Sequence, residues 1–160
     1  MAFKVCLSCI FASLLSVCVV AQPAARAVDL AYTEITPVTD ATRYTALNPN
    51  VQLTAFTKVK HVKGNIVFSA GERITGDHLM FNHYDDKTFT KLTDIEVQMT
   101  YPASGNTGLT LTAIEIYVDL SADDANAYFI DGGIDQKYAK ILLTCDQTRT
   151  FVYETFFYGY

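Results

Sequence analysis

Cysteine is nearly missing where it would matter. Cys6, Cys9 and Cys18 lie in the first eighteen residues, and only Cys145 lies beyond them. Once that N-terminal segment is removed no intrachain disulfide can form, so stability must come from an apolar core. Cys145 is then a small buried apolar group, an intermolecular bridge or a reactive thiol. No Asn-x-Ser/Thr acceptor occurs, so N-glycosylation is not expected. Beyond residue 21 there is no second long apolar run, and no stretch with sustained helical periodicity. Catalytic signatures are missing too. No serine sits in a G-x-S-x-G elbow, no phosphate loop or dinucleotide fingerprint appears, and no histidine lies near Cys145 in sequence. The expectation is a protein that is not an enzyme and needs no cofactor.

What is present begins with a leader. Met1-Ala2-Phe3-Lys4 carries one positive charge, Val5 to Val20 carries none, and Val19 and Ala21 sit three and one residues before a cut after Ala21. This is the layout of a secretory signal peptide. The run holds Ser8, Ser13 and Ser16 and is shorter than the roughly 20 apolar residues of a membrane span. The plan is therefore a signal peptide over 1–21, a polar lead-in arm over 22–50 and one all-β domain over 51–160. The 139 residues beyond the cut suffice for a single core. Secretion is expected, with no membrane contact in the mature form. Lys4 is the only charge in the leader, so the remainder carries 11 basic against 17 acidic side chains, net −6. That balance repels phosphate backbones and disfavours direct nucleic-acid binding.

Pro23, Pro37 and Pro49 interrupt the lead-in, where Tyr32, Ile35 and Val38 give weak strand signals. From Val51 to Lys60 the odd positions Val51, Leu53, Ala55, Thr57 and Val59 alternate with polar ones, predicting a half-buried strand with Lys58 and Lys60 on its wet side. Lys63-Gly64-Asn65 predicts a hairpin turn into a strand at Ile66–Phe68. Gly71 and Gly76 mark a loop, His78–Tyr84 a short strand and Asp85-Asp86-Lys87 a turn. Phe89, Ile95, Val97, Met99 and Tyr101 share a parity up to Pro102. From Leu109 and Leu111 to Ile114, Ile116, Val118 and Leu120 the apolar parity switches, predicting a β-bulge near Thr112-Ala113. Ala127 to Tyr160 reads as three strands separated by turns at Asp131–Gly133 and Asp146–Arg149. About eight strands in all predict a single antiparallel sandwich or barrel-like domain. The last strand is apolar on both parities, Phe151, Tyr153 and Phe157 against Val152, Phe156 and Tyr158. Either it is buried on both faces or Phe151, Tyr153, Phe156 and Tyr158 form an aromatic partner surface.

Other polar groups give weaker signals. His78, His83, Asp77 and Asp85 are metal-ligand types, but positions 78 and 83 of one strand point to opposite faces. Asp119, Asp123, Asp124, Asn126, Asp131 and Asp135 supply oxygens of the kind calcium uses, without the EF-hand spacing. Lys58, Lys60, His61 and Lys63 form a local basic stretch. None of these carries a metal or cofactor assignment.

Four short motifs in order carry a resemblance: Gly71-x-x-x-x-Gly76-Asp77-x-Leu79, Leu111-Thr112-Ala113-Ile114, Gly132-Gly133 and Phe157-Tyr158-Gly159. Over roughly Val62 to Gly159 the chain resembles the multiprotein bridging factor two (transcription activator) family of insects. Departures stand at Asp135, where the resemblance leads one to expect glycine, at Cys145 in place of serine, and at Asp146 to Thr150 in place of a glycine-rich hairpin. The resemblance implies a coactivator that bridges a sequence-specific factor to the general transcription machinery without binding DNA. It equally implies small secreted proteins of salivary gland, gut or cuticle-forming tissue. The leader favours a secreted protein that binds a protein or small apolar partner, since a chain sent to the secretory route does not reach promoters.

Overall fold

Two very long strands carry the fold. The computed structural model describes residues 30–62, 64–103 and 107–160, and the expected leader, the start of the lead-in and Lys63 lie outside them. In chain order the elements are β1 (Ala31–Tyr32), β2 (Thr36–Val38), α1 (Tyr44–Leu47), β3 (Thr54–Ala55), β4 (Thr57–Lys60), β5 (Ile66–Gly71), β6 (His78–Tyr101), β7 (Leu111–Leu120), β8 (Ala125–Gly132) and β9 (Ala139–Gly159). Among the described residues the protein is thus all-β but for one four-residue helix, as the strand pattern predicts. All pairings are antiparallel, in one nine-stranded sheet that does not close into a barrel. No helix among the described residues is long and apolar enough to cross a membrane.

β9 is the spine. It pairs with β6 along its length, while its other edge takes β8 against the N-terminal half and β7 against the C-terminal half. Both long strands bend at the same place. β6 slips register between Thr88 and Ile95, and β9 passes through Gln147 at φ 52°. Side chains take up the amides that leave the ladder there. Asp94 Oδ1 accepts from Gln147 N at 2.9 Å, and Ser121 Oγ accepts from Arg149 N and Thr150 N at 2.8 and 3.0 Å. Backbone groups so satisfied let a sheet fold on itself without leaving orphaned donors. The two expected turns at Asp85–Lys87 and Asp146–Arg149 are therefore not chain reversals. Each lies inside a continuous strand, the second at its bend.

The bend brings two half-sheets face to face. One runs β4–β5–β7–β9–β6 and the other β3–β8–β9–β6 with β1 and β2 on its edge. Between them Tyr101 meets Phe157 at 5.9 Å and Phe56 stacks on Phe129 at 4.4 Å between ring centroids. The inner parity of β9 is Ala139, Ile141, Leu143, Cys145, Phe151, Tyr153 and Phe157, all buried. Each such large apolar side chain removed from water contributes about 2 kcal/mol. The predicted bulge is present: β7 shifts register between Leu111 and Ala113, which moves Leu111 and Ile114 onto the same inner face.

The first strand departs from expectation. It is broken at Phe56, whose ring is buried, and Val59 of the predicted inner parity is 48 % exposed. Lys58 points inward instead. Its ammonium lies over the Phe68 ring and binds Asp124. A long stem on apolar surface with its charge at the rim explains how a lysine takes this position. From Leu30 onward the lead-in packs on the domain. Ile35 is fully buried, and Arg43 bridges Asp94 and Asp146 at 2.7 and 2.8 Å, tying α1 to the bend.

Candidate functional site

Parity decides what β9 offers to a partner. Phe151 and Tyr153, which one of the two sequence readings puts on a partner surface, face inward and are fully buried. They belong to the core because the opposite half-sheet covers their side of the strand. Phe156 and Tyr158 lie on the outer face and are half-buried.

That outer face is a set of cross-strand rows. Glu154 pairs with Tyr84 of β6 on one side and with Tyr117 of β7 on the other, and Tyr117 pairs in turn with Val67 and Val67 with Val59. Beside this row, Val152 lies between Asp86 and Asp119, and Phe156 lies between Asn82 and Glu115. Directly opposed side chains in an antiparallel sheet stand about 5 Å apart, so each row is a contiguous surface. Tyr84 is 56 % exposed and Tyr117 44 % exposed. These residues line a groove of about 630 Å³, with Val67 and Val152 in its walls and His61, Val62 and Asn65 at one end. A shallower hollow of about 240 Å³ continues past Glu154 to Phe156 and Tyr158.

The polar groups of the groove are few and placed. Asn82 Nδ2 donates to Glu154 Oε1 at 2.7 Å, and Tyr117 OH donates to Glu115 Oε2 at 3.0 Å. Phe156 meets the Tyr117 ring edge-on at 5.7 Å. Burial and the neighbouring carboxylates hold both phenols above their ordinary pKa, chiefly burial in each case. The surface can therefore bury apolar groups, accept hydrogen bonds and attract positive charge. Sequence reading found Phe156 and Tyr158 but missed Tyr84, Tyr117 and Glu154. The available signal was the even parity of Val152, Glu154, Phe156 and Tyr158 on one strand.

The glycine motifs gather elsewhere, at the end of the sandwich. Gly71 has φ +70°, and a Cβ there would stand 2.1 Å from Thr112 O. Asp77 takes Arg73 in a two-pronged ion pair and accepts from Thr112 Oγ1 at 2.8 Å and Ile74 N at 3.0 Å, while the Arg73 guanidinium lies 3.8 Å over the Tyr158 ring. Gly159 leaves room for Thr110 O, and Gly132 for Tyr138 O. Asp135 N donates to Leu111 O at 2.8 Å, closing the β8–β9 hairpin onto β7. Gly76 and Gly133 also have positive φ. These residues brace backbones against one another and present no reactive group.

The remaining candidates are dispersed. Among the described residues no group of three His, Cys, Asp or Glu converges as a metal ion requires. Asp124 is engaged by Lys58, the carbonyl of Asp123 by Lys60, and Asp131 by Gly132 N and Tyr138 OH. Cys145 is buried, and its thiol is pushed up to about 11 by burial.

No curated protein and no solved structure matches the chain. Residues 70–159, more than half of the chain, match the family described as Transcription activator MBF2, and they contain the Gly71–Asp77, Leu111–Ile114, Gly132-Gly133 and Phe157–Gly159 segments; the chain belongs to the Transcription activator MBF2 family.

Proposed function

We propose that this chain is a secreted, non-enzymatic binding protein, an extracellular member of an insect family, that takes a protein or small apolar partner in the outer groove of β5, β7, β9 and β6. The observation that supports it is the row Tyr84–Glu154–Tyr117, two exposed rings and a carboxylate on one apolar face. Single exposed apolar residues are ordinary on a protein surface, whereas a contiguous concave patch of this size is the usual form of a binding site. The carboxylates around it, Asp86, Glu115, Asp119 and Glu154, argue against a nucleic-acid partner. The leader-like residues 1–21 support secretion.

A second reading, a coactivator that bridges a sequence-specific factor to the general transcription machinery, is favoured by the family description. Compartment separates the two. The full chain is expressed in cultured insect cells, and the protein in medium and in cell extract is sequenced from its N-terminus. A processed form beginning at Gln22 in the medium is expected. Full-length, unprocessed protein confined to the cells would sink the secreted reading and favour the coactivator. For the groove itself, the neutral dye Nile red should brighten on binding, and a Tyr84→Ser/Tyr117→Ser double variant should lose that signal.

A further inference from the structure

Glu154 is the group to explain. It is half-buried in the floor of an apolar groove, its one side-chain partner is the neutral amide of Asn82, and no ion pair reaches it among the described residues. Arg73 is committed to Asp77, Lys58 turns to the inner face and binds Asp124, and His61, which lines the groove's end, makes no ion pair with Glu154 among the described residues. A carboxylate partly removed from water without a counter-charge is held in an unfavourable setting. Asp86, Asp119 and Glu115 surround it with charge of the same sign, so the groove attracts cations and concentrates them. On either side of Glu154, in direct cross-strand register, stand the rings of Tyr84 and Tyr117.

A carboxylate flanked by two aromatic side chains is a combination that can recognise an organic ammonium ion. The carboxylate supplies the counter-charge, and the ring quadrupoles attract the positively charged methyl or N–H groups from the sides. The walls beyond, Val67 and Val152, accept an apolar body. A groove of about 630 Å³ is the size of a small-molecule site. We propose that the Tyr84–Glu154–Tyr117 row is a recognition site for small organic ammonium compounds, an amine or quaternary ammonium head on an apolar or aromatic body. This rests on the groove being the binding site proposed above and names the chemistry of its occupant.

The test uses benzyltrimethylammonium and its neutral carbon isostere, neopentylbenzene, as competitors for Nile red on the full chain. The measured quantity is the ratio of the two affinities, in the wild type and in Glu154→Gln. Glutamine retains an oxygen for the Asn82 amide, and an unchanged affinity for neopentylbenzene verifies that the groove is intact. The ratio should fall by about tenfold in Glu154→Gln, which removes the charge–charge attraction, and should also fall in the wild type as salt is raised. A ratio unchanged by the substitution overturns ammonium recognition while leaving the groove as a binding site for apolar ligands. Displacement by the isostere but never by the cation has the same meaning. If neither compound displaces the dye, the ammonium site falls, and if the dye itself does not bind, the groove falls with it.

Discussion

Two buried tyrosines make opposite predictions for one substitution. Tyr153 is fully buried in the face of β9 turned to the core, and its hydroxyl has no hydrogen-bond partner among the described residues. Tyr101 is equally buried, but its hydroxyl accepts from Leu109 N at 2.7 Å and donates to Leu109 O at 3.1 Å. A buried hydroxyl without a partner costs about 1–3 kcal/mol by protein mutational data. Removing its oxygen leaves a void of roughly 10–15 Å³, which costs only about 0.3 kcal/mol at the usual cavity rate. Tyr153→Phe should therefore stabilise the fold by about 1 kcal/mol, raising the melting temperature by about 3 °C for a chain of this length. Tyr101→Phe strands both polar groups of Leu109 and should destabilise by about 1–3 kcal/mol. The chain has no tryptophan, so urea unfolding is followed by far-ultraviolet circular dichroism. A loss of stability in Tyr153→Phe as large as that in Tyr101→Phe would refute the reasoning. It would mean that the Tyr153 hydroxyl has a partner, for which the neighbouring unpaired His83 Nε2 and Thr155 Oγ1 suggest a shared bridging water.

Three further outcomes follow from the same structure. Gly71→Ala should cost more than about 2 kcal/mol, since it combines a left-handed backbone with a Cβ 2.1 Å from Thr112 O, whereas Gly76→Ala, at φ +96° in open space, should cost about 1 kcal/mol; equal losses in denaturant titrations would refute the close approach. Acid should destabilise in two stages. Burial lowers the His83 pKa, so the unfolded chain takes up that proton first and stability falls below about pH 6.5. Asp77, hydrogen-bonded by Arg73, and Asp94, bonded by Gln147 N, titrate below the usual carboxylate range, so their contribution is complete above about pH 4 and is lost as pH falls further. Melting temperatures against pH should show the lower limb flattened in Asp77→Asn; an unchanged limb would remove Asp77 from the account. Cys145 should resist Ellman's reagent at pH 8 in the native state and react fully in denaturant, because its thiol is buried and its pKa raised to about 11. Fast native labelling would contradict its placement.

Much of the fold was legible because period-two alternation survives wherever one face of a strand is buried. Ile95, Val97, Met99 and Tyr101 point inward as their parity predicts, and the phase change between Leu111 and Ile114 marks the bulge at Thr112. Alternation alone does not tell which parity is inside when both are apolar or both mixed. In Val51–Lys60 a single phenylalanine outweighs the weaker odd set, and Phe56 carries Lys58 inward with it. Nor does polarity distinguish a turn from a bend in a continuous strand. Asp85–Lys87 and Asp146–Arg149 have turn composition, yet β9 stays paired with β6 on both sides of each, with a register slip only at the second. The candidate site was hidden for a related reason. Tyr84, Tyr117 and Glu154 come from three distant segments, and only the pairing register brings them together.

The departures from the family pattern have a physical reading of their own. Asp135 and Gln147 are the two non-glycine residues with positive φ among the described residues, at 63° and 52°. Asp135 stands where the resemblance leads one to expect a glycine, and Gln147 lies inside the segment where it leads one to expect a glycine-rich hairpin. Both positions thus carry a left-handed backbone on a residue other than glycine. At 135 the strain is offset by tertiary bonding, since the residue's own amide donates to Leu111 O. At 147 both the amide and the side chain donate to Asp94 Oδ1, at 2.9 and 2.7 Å. Aspartate tolerates this region better than most residues, and a conformation costing about 1–2 kcal/mol persists where surrounding contacts over-determine it. The positive φ at 135 and 147 thus belongs to a backbone path, a hairpin closing on β7 and a bend in β9, which this chain follows with non-glycine residues because their amides are held. The path fixes the register of β9, and that register places Glu154 between two tyrosines.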